Sequence, residues 1–278
     1  MSVAIEIPTT IHPTAIVAAG AELGTGVTIG PWCSVGPDVT IGDNVTLVSH
    51  VVVDGHTSVG AGSTLHPFCS IGGPPQDLKY KGEPTRCDLG ARVQVREYVT
   101  VNRGTAGGGG LTHVGDETLL MAVVHVAHDC HLGRNVVIAN NCMLAGHVSV
   151  GDYSVIGGGA AIHQFVRIGR AAMIGGLSGV ERDVIPFGTV MGNRAWLAGL
   201  NVIGLRRRGF DRAQIHALRA AFLSMFRDET PTFAERVEAI RASHGHEPAI
   251  AEVLAFMDAP SKRGLIRTAV LAGDDEDQ

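Results

Sequence analysis

A six-residue repeat restricts the fold of this chain more than any other feature. Every sixth residue is aliphatic across residues 5–71, 89–101 and 114–180, without an exception. Only Ala, Val, Ser, Thr or Cys stands two residues before each of these positions. Apolar residues that alternate in this way are typical of short strands with one buried face. A fixed short period of this kind indicates a solenoid rather than an ordinary globular core.

The geometry of the repeat predicts a parallel β-helix of the hexapeptide type. Three short strands and three corners make one triangular rung of 18 residues, and rungs stack at about 4.8 Å. The aliphatic residues then fill the prism, and the small residues fit its corners. Glycine follows the aliphatic residue at several repeats, where we expect corners that need a permissive backbone. These glycines are Gly24, Gly30, Gly36, Gly42 and Gly60.

Composition and charge narrow the possible partners and the compartment. Glycine accounts for 37 of 278 residues and aromatics for only 5%, which fits a β-helix. A net charge of −5 argues against non-specific nucleic-acid binding. The chain opens with no secretory signal pattern and has no long apolar run, so we expect no integral membrane segment and a cytoplasmic protein.

The five cysteines all stand two residues before a repeat position, so they share the small inward slot. We therefore expect core residues rather than a disulfide framework or a cysteine-type zinc site. They are Cys33, Cys69, Cys87, Cys130 and Cys142.

The pattern divides the chain into a β-helix over residues 1–190 and a helical C-terminal domain over 191–267. Two polar or glycine-rich loops interrupt the β-helix at 72–86 and 102–112. The acidic residues 268–278 are expected to be a disordered tail.

Three helices are expected in the C-terminal domain. Asp211 is suited to cap a helix over residues 213–223, and further helices are expected around 231–244 and 247–258. Residues 187–204 are expected to form a mixed connector.

The glycine-rich stretch at 102–110 is not expected to cradle phosphate. A phosphate loop requires a helix directly after it, and the strand repeat resumes here instead. We expect a flexible loop over the prism, or one that reaches a neighbouring subunit.

The third array of repeats carries the candidate site. Residues 18 apart lie above one another in adjacent rungs, so several polar or glycine residues converge on one small patch. The predicted columns are His128, Gly146 and Gln164; Asp129 and His147; and Ala127, Ala145 and His163.

This patch suggests acyl transfer. His128 beside Asp129 fits a general base that a carboxylate holds in one tautomer. Gly146, directly above, offers an unobstructed N–H that could stabilise an oxyanion. Because Cys130 is expected to point inward, direct transfer to a hydroxyl or amine is favoured over a covalent acyl-enzyme.

Two other classes stay open at this point. One is a zinc enzyme similar to hexapeptide carbonic anhydrases, and the other is a scaffold without catalysis. The metal ligands in the first class would be four histidines: His125, His128, His147 and His163.

Several longer motifs resemble the UDP-N-acetylglucosamine O-acyltransferase family, from His12 to Arg267. The resemblance lies in strings that are more specific than the repeat. They are Gln76-Asp77-Leu78-Lys79-Tyr80, Gly82-Glu83-Pro84-Thr85-Arg86, His125-Val126-Ala127-His128-Asp129-Cys130, Leu144-Ala145-Gly146-His147-Val148, His163-Gln164-Phe165, Gly175-Gly176 and Arg207-Arg208-Gly209-Phe210.

The resemblance implies a left-handed β-helix and a homotrimer with active sites between subunits. It implies transfer of an (R)-3-hydroxyacyl group from acyl carrier protein to the 3-position of UDP-N-acetylglucosamine, the first step of lipid A biosynthesis. The acyl group would arrive on the carrier's phosphopantetheine, with no separate cofactor and no metal. His128 would be the base, oriented by Asp129, with the Gly146 amide on the oxyanion.

The resemblance also assigns residues to the substrates. Asp77 and Lys79 would contact the sugar nucleotide, and a glycine at the position of Gly176 goes with long acyl chains. Asn201, Arg207 and Arg208 would meet uridine, phosphate or the phosphopantetheine arm. The residues expected around the sugar and the acyl chain are Gln76, His125, His147, His163 and Gln164.

Two residues depart from the family pattern. Val123 stands where the family often has Asn, and Ile203 stands where it often has an acidic residue. Both departures leave open whether the acceptor is a 3-hydroxyl or, as in some relatives, a 3-amino sugar.

Overall fold

The computed structural model describes residues 8–268, and these form a triangular prism of parallel strands followed by four helices. The chain passes through three sheets in turn, so each sheet is one face of the prism. The sheets are numbered 1, 2 and 3 in the order in which the chain first enters them. The acidic tail predicted at 268–278 lies, apart from Thr268, outside the described residues.

The strands are short, as the six-residue repeat predicts. Sheet 1 contains Thr10–Ile11, Thr28–Ile29, Thr46–Leu47, Thr64–Leu65, Gln94–Val95, Leu119–Leu120, Val137–Ile138, Val155–Ile156, Met173–Ile174, Gly188–Met191 and Trp196–Leu200. Sheet 2 contains Ile16–Val17, Ser34–Val35, Val52–Val53, Ser70–Gly73, Thr100–Asn102, His125–Val126, Met143–Leu144, Ala161–Ile162 and Gly179–Val180. Sheet 3 contains Glu22–Leu23, Val39–Ile41, His56–Val59, Arg86–Leu89, Leu111–Val114, His131–Leu132, Ser149–Val150 and Arg167–Ile168.

The repeat residues form the core of the prism. From Ile29 to Val180 every one of them is buried, whereas Ile11 near the start is 46% exposed. All five cysteines are buried and free, which confirms that they are core residues. Burial raises the pKa of the Cys130 thiol to about 12, so this side chain does not supply a thiolate nucleophile.

The glycines that follow repeat residues serve a different purpose from the one expected. The left-handed backbone falls two residues later, at Gly26, Trp32, Asn44 and Gly62, in the corners that begin at Gly24, Gly30, Gly42 and Gly60. Gly30 and Gly42 instead allow close stacking of rungs. A β-carbon at Gly30 would collide with the Val48 carbonyl, and one at Gly42 would lie 2.8 Å from the next corner's backbone.

The two predicted loops leave the prism and the ladder continues after each, with one register irregularity between Ile71 and Gly73 where the first loop begins. The first loop separates strand Ser70–Gly73 from strand Arg86–Leu89, and Leu89 then pairs with Val59 of sheet 3. The second loop contains a 3₁₀ helix at Ala106–Gly108 and returns at Leu111–Val114. Each loop is therefore an insertion at the edge between sheets 2 and 3.

Four helices follow the prism: α1 (Val202–Arg207), α2 (Arg212–Phe226), α3 (Phe233–His244) and α4 (Pro248–Asp258). Asp211 caps α2 in a box with Gln214, as the sequence predicts. Helix α1 was not predicted, because it is short and begins within the expected connector. Strand pairing continues to Leu200, and the predicted domain boundary at 190 stays a prediction.

The last rung of the prism is covered on all three faces. On sheet 1, strand Trp196–Leu200 pairs antiparallel with Gly188–Met191. On sheet 2, Gly179 is hydrogen-bonded to backbone groups of Gly192 and Ala195. On sheet 3, Ile168 forms a parallel β-bridge with Val184, and Asp183 forms a parallel β-bridge with Leu265.

Candidate active site

The candidate site is built around a histidine and a buried carboxylate at the edge between sheets 2 and 3. Nδ1 of His128 lies 2.8 Å from Oδ2 of Asp129. The Asp129 side chain is fully buried and its backbone is left-handed, which turns it back under the histidine. Because an ionised carboxylate only accepts hydrogen bonds, Nδ1 carries the proton and Nε2 keeps its lone pair.

The glycine-rich loop supplies the other partners of this carboxylate. The Thr105 amide donates to Oδ1 of Asp129 at 2.9 Å, and the Thr105 hydroxyl donates to Oδ2 at 2.6 Å. A β-carbon at Gly108 would collide with the carboxylate, so this glycine permits the close approach. The loop was expected to lie over the prism or to reach a neighbouring subunit, and in this structure it lies over the prism and packs on Asp129. Thr105 was missed because nothing in a non-periodic loop indicates where it returns.

Gly146 lies directly against the His128 ring, as the column of residues 18 apart predicts. A β-carbon at Gly146 would lie 2.6 Å from Cε1 and 2.8 Å from Nε2 of His128. Within residues 8–268 the Gly146 amide has no hydrogen-bond acceptor, whereas the next amide, of His147, donates to the His128 carbonyl at 3.0 Å. An unbonded N–H beside the free imidazole nitrogen is suited to a developing oxyanion.

A stack of rings extends the site along the same edge. The His147 ring meets the His128 ring edge-on with centroids 5.0 Å apart. The Phe165 ring stacks on His147 at 4.4 Å, with 7° between the planes. Burial is the main cause that lowers the pKa of His147, with Asp129 opposing the shift. His147 therefore favours its neutral form.

An apolar cleft of about 610 Å³ opens on one side of His128. It contains His125, whose Nδ1 lies 2.7 Å from the Thr100 hydroxyl, and whose pKa is lowered by burial and then by His128. Its remaining walls are largely aliphatic, and several of them belong to strands of sheet 2. They include Gln76, Met143, Leu144, Ala145, Ala161 and Ile162.

A polar cleft of about 450 Å³ opens beyond His147. The first loop contributes two carboxylates and a lysine, and the second loop contributes its 3₁₀ turn. Arg103 ties the loops together by donating to the Tyr80 hydroxyl at 2.9 Å and to the Gly72 carbonyl at 3.0 Å. The lining residues are Asp77, Lys79, Tyr80, Glu83, Thr105, Ala106, Gly107, Gly108, His147, Phe165 and Lys262.

His163 and Gln164 lie at the same edge, but chain groups already engage them. Nε2 of His163 lies 2.8 Å from the Arg263 guanidinium, and Nδ1 faces the Gln164 carbonyl at 3.2 Å. The Gln164 side chain is exposed. Their predicted contacts with substrate stay predictions.

The remaining predicted residues lie at the other two edges of this chain. Gly176 is exposed at the corner between sheets 1 and 2. The Asn201 amide caps α1 through Gly204 and donates to the Ala171 carbonyl, at the corner between sheets 3 and 1. One protomer therefore does not bring these residues to His128.

The two adjacent arginines differ in their surroundings. The Arg208 guanidinium donates to the Gly204 carbonyl at 3.0 Å and to the Tyr153 carbonyl at 2.7 Å, and it lies over the Tyr153 ring. Arg207 is exposed. The sequence suggested that both arginines read phosphate, but in this structure only Arg207 presents its side chain to solvent.

The zinc alternative required four histidines to converge. Within the described residues, one group of possible metal ligands lies within 4.8 Å: His128, Asp129 and His147. His125 and His163 are not part of it. Because Asp129 already accepts hydrogen bonds from Thr105 and His128, the donor set fits a hydrogen-bonded dyad better than a metal centre.

Fold and site together define a hexapeptide-repeat acyltransferase, in which a carboxylate-oriented histidine faces a glycine amide between an apolar and a polar cleft. The hexapeptide transferase family matches residues 20–55 and 111–146. The family described as Udp N-acetylglucosamine O-acyltransferase, domain 2, matches residues 183–266.

The chain belongs to the UDP-N-acetylglucosamine O-acyltransferase family. It is 50% identical over 256 residues to the acyl-[acyl-carrier-protein]–UDP-N-acetylglucosamine O-acyltransferase of Caulobacter vibrioides, covering 92% of this chain and 97% of that protein. The protein of the same name from Azorhizobium caulinodans is 51% identical over 255 residues, covering 92% and 94%. The crystal structure of UDP-N-acetylglucosamine O-acyltransferase from Moraxella catarrhalis is 40% identical, with a TM-score of 0.89 over 92% of this chain and 99% of that one. These matches confirm the predicted left-handed β-helix with C-terminal helices.

Proposed function

We propose that this protein transfers an (R)-3-hydroxyacyl group from acyl carrier protein to the 3-hydroxyl of UDP-N-acetylglucosamine, the first step of lipid A biosynthesis. Membership of the family supports the substrates, and the relatives are named O-acyltransferases, which favours a hydroxyl over an amine as acceptor. The observation that carries the proposal is Nε2 of His128, which has no hydrogen-bond partner among residues 8–268. Its ring lines the apolar cleft and contacts His147, which lines the polar cleft.

The proposed reaction is a direct transfer. Nε2 of His128 takes the proton of the sugar 3-hydroxyl as the oxygen attacks the thioester carbonyl. Asp129 stabilises the imidazolium that forms, since its carboxylate is fixed by Thr105. The Gly146 amide stabilises the negative oxygen of the tetrahedral intermediate.

Collapse of this intermediate breaks the carbon–sulfur bond. The imidazolium of His128 returns its proton to the departing thiolate of the phosphopantetheine arm, so the products are an ester and a free thiol. His128 ends in its starting state, and the step requires neither a cofactor nor a metal beyond the carrier's own arm.

The two clefts assign the substrates. The apolar cleft beside Gln76 and His125 suits the acyl chain. The polar cleft, with Asp77, Lys79 and His147, suits the sugar nucleotide. Because acyl carrier protein and nucleotide sugars are cytoplasmic, we also propose that the protein acts there. Among the described residues, no helix is long and apolar enough to cross the bilayer.

We further propose a homotrimer with sites between subunits. Three groups of predicted site residues lie at three different edges of one prism, namely His128, Gly176 and the pair Asn201 and Arg207. A closed threefold assembly can bring an edge of one prism to a different edge of the next. Sedimentation analysis should give three times the protomer mass, and a monomer with full activity would contradict this arrangement.

Mass spectrometry of products tests the proposed reaction. The purified protein is incubated with UDP-N-acetylglucosamine, or its 3-amino analogue, and a series of 3-hydroxyacyl carrier thioesters. We expect a 3-O-acylated sugar nucleotide, at the same rate before and after dialysis against a strong chelator. If only the 3-amino sugar were acylated, the 3-hydroxyl would not be the acceptor and this part of the proposal would be overturned. Loss of activity on chelation, restored by zinc, would favour the carbonic-anhydrase-like class, which a bicarbonate dehydration assay would identify.

A further inference from the structure

The chain beyond α4 returns to the β-helix and is fixed there. The Asp183 amide donates to the Gly264 carbonyl at 2.9 Å, and the Ile266 amide donates to the Asp183 carbonyl at 2.9 Å. Ile266 is only 3% exposed. Arg263 donates to the Gln164 carbonyl at 2.9 Å, which anchors the preceding residues on the edge that carries the candidate site.

This anchoring places Lys262 in the polar cleft. Its ammonium lies 4.0 Å from the centroid of the Phe165 ring, which also stacks on His147. The position of Lys262 near His147 agrees with its contribution to lowering the pKa of that histidine. The ammonium is exposed and has no carboxylate partner among the described residues, so it is available to a ligand.

We propose that Lys262 binds the diphosphate of the nucleotide sugar together with Lys79. Two ammonium groups in one cleft match the charge of a diphosphate, and lysine binds phosphate as a point charge. The carboxylates of Asp77 and Glu83 in the same cleft suit sugar hydroxyls. The phosphodiester of the carrier arm has one charge and no sugar ring, so it matches this lining less well. The assignment rests on the proposed function.

Equilibrium binding of UDP-N-acetylglucosamine to the full-length protein tests this proposal. Lys262→Met keeps the aliphatic stem over Phe165 and removes only the charge, whereas Lys262→Arg keeps the charge. The matched control is Lys81→Met. Lys81 is on the first loop, where its ammonium lies 3.5 Å from the Leu78 carbonyl, and it is not among the residues that line the cleft.

We expect Lys262→Met to weaken binding of UDP-N-acetylglucosamine about tenfold or more at low salt. The loss should shrink as salt is added. Lys262→Arg should retain most of the affinity, and Lys81→Met should bind as wild type does. In turnover assays the Michaelis constant for the sugar nucleotide should rise more than the turnover number falls, because the lost contact is already made when the substrate binds.

The outcomes separate the two proposals. Equal affinity of wild type and Lys262→Met for the sugar nucleotide would overturn the role of Lys262 and leave the function intact. A raised Michaelis constant for the acyl carrier alone would overturn the diphosphate assignment. Failure of the wild-type protein to bind UDP-N-acetylglucosamine at all would overturn the proposed function and this assignment together.

Discussion

Nδ1 of His128 and Oδ2 of Asp129 are 2.8 Å apart, and no arginine or lysine among residues 8–268 forms an ion pair with this carboxylate. Its charge is balanced by hydrogen bonds from Thr105 and by the imidazole itself. A buried carboxylate in these surroundings stabilises the protonated ring. This arrangement therefore prepares His128 to accept a proton.

Replacement of His128 by Ala should lower turnover roughly 10²–10⁴-fold, because a positioned general base contributes that much. The protein should stay folded, with a lower midpoint of thermal unfolding, since the buried Asp129 carboxylate loses one hydrogen-bond partner. The matched control is His113→Ala, another histidine of sheet 3 outside both clefts. Near-wild-type turnover of His128→Ala would show that the base lies elsewhere.

Replacement of Gly146 by Ala should reduce activity while the protein stays folded. The new methyl group would lie 2.6 Å from Cε1 of His128, so the ring must move. Misplacement by about 1 Å can cost on the order of 10²-fold in rate. Gly199→Ala is the control, because a β-carbon there meets nothing within 4 Å. Equal activities of the two variants would refute the oxyanion and positioning roles of Gly146.

Replacement of Gly176 by Met should shift the preference toward shorter acyl chains. A β-carbon at Gly176 has its nearest neighbour at 3.3 Å, the Gly158 carbonyl, and open space beyond, so the side chain can project from the corner. Each buried methylene contributes about 0.8 kcal/mol, so exclusion of four would change specificity on the order of a hundredfold. Competition between carrier thioesters of different lengths measures the shift. If the variant folds and prefers the same acyl-chain lengths as wild type, another residue limits the length of the acyl chain.

The two arginines after α1 should respond differently to replacement by Ala. Arg208→Ala removes two hydrogen bonds from a charged donor and should lower the free energy of unfolding by about 1–3 kcal/mol. Arg207→Ala should leave stability within about 0.5 kcal/mol. It should weaken substrate binding more at low salt than at high salt. Unchanged Michaelis constants for both substrates would show that Arg207 is a surface residue that does not bind either substrate.

Replacement of Val123 by Asn should stabilise the protein. Val123 has φ of 64° and is 50% exposed, so a β-branched side chain occupies a left-handed position with little burial in return. Asn tolerates this conformation, which costs other residues about 1–2 kcal/mol. The reverse change, Asn141→Val, lies at the same corner one rung away, where φ is 61°. Thermal unfolding should rise in the first variant and fall in the second, and shifts in the opposite directions would contradict the strain argument.

The repeat made part of the site predictable because three six-residue repeats make one rung. Residues 18 apart must lie in adjacent rungs, so Gly146 against His128 and His147 beside Asp129 followed from spacing alone. The inward direction of Cys130 followed in the same way.

Other parts of the site could not be predicted because they depend on segments without a period. Thr105 reaches Asp129 from a loop, and Lys262 reaches Phe165 across nearly a hundred residues of chain. Neither residue has a local signal for the place where its segment returns. The partial burial of Arg208 was not predicted for a related reason. Two consecutive arginines cannot be distinguished in the sequence, and only the end of α1 directs one toward Tyr153 and leaves the other in solvent.

The covered last rung has a consequence for association between molecules. A parallel β-helix that simply stopped would present a row of unpaired amides and carbonyls, a template on which another chain could add strands. Here strand Trp196–Leu200 runs against the direction of the stack, and Gly192, Ala195 and Val184 pair with the other two faces. At this end the rod is closed to templated growth into fibrils.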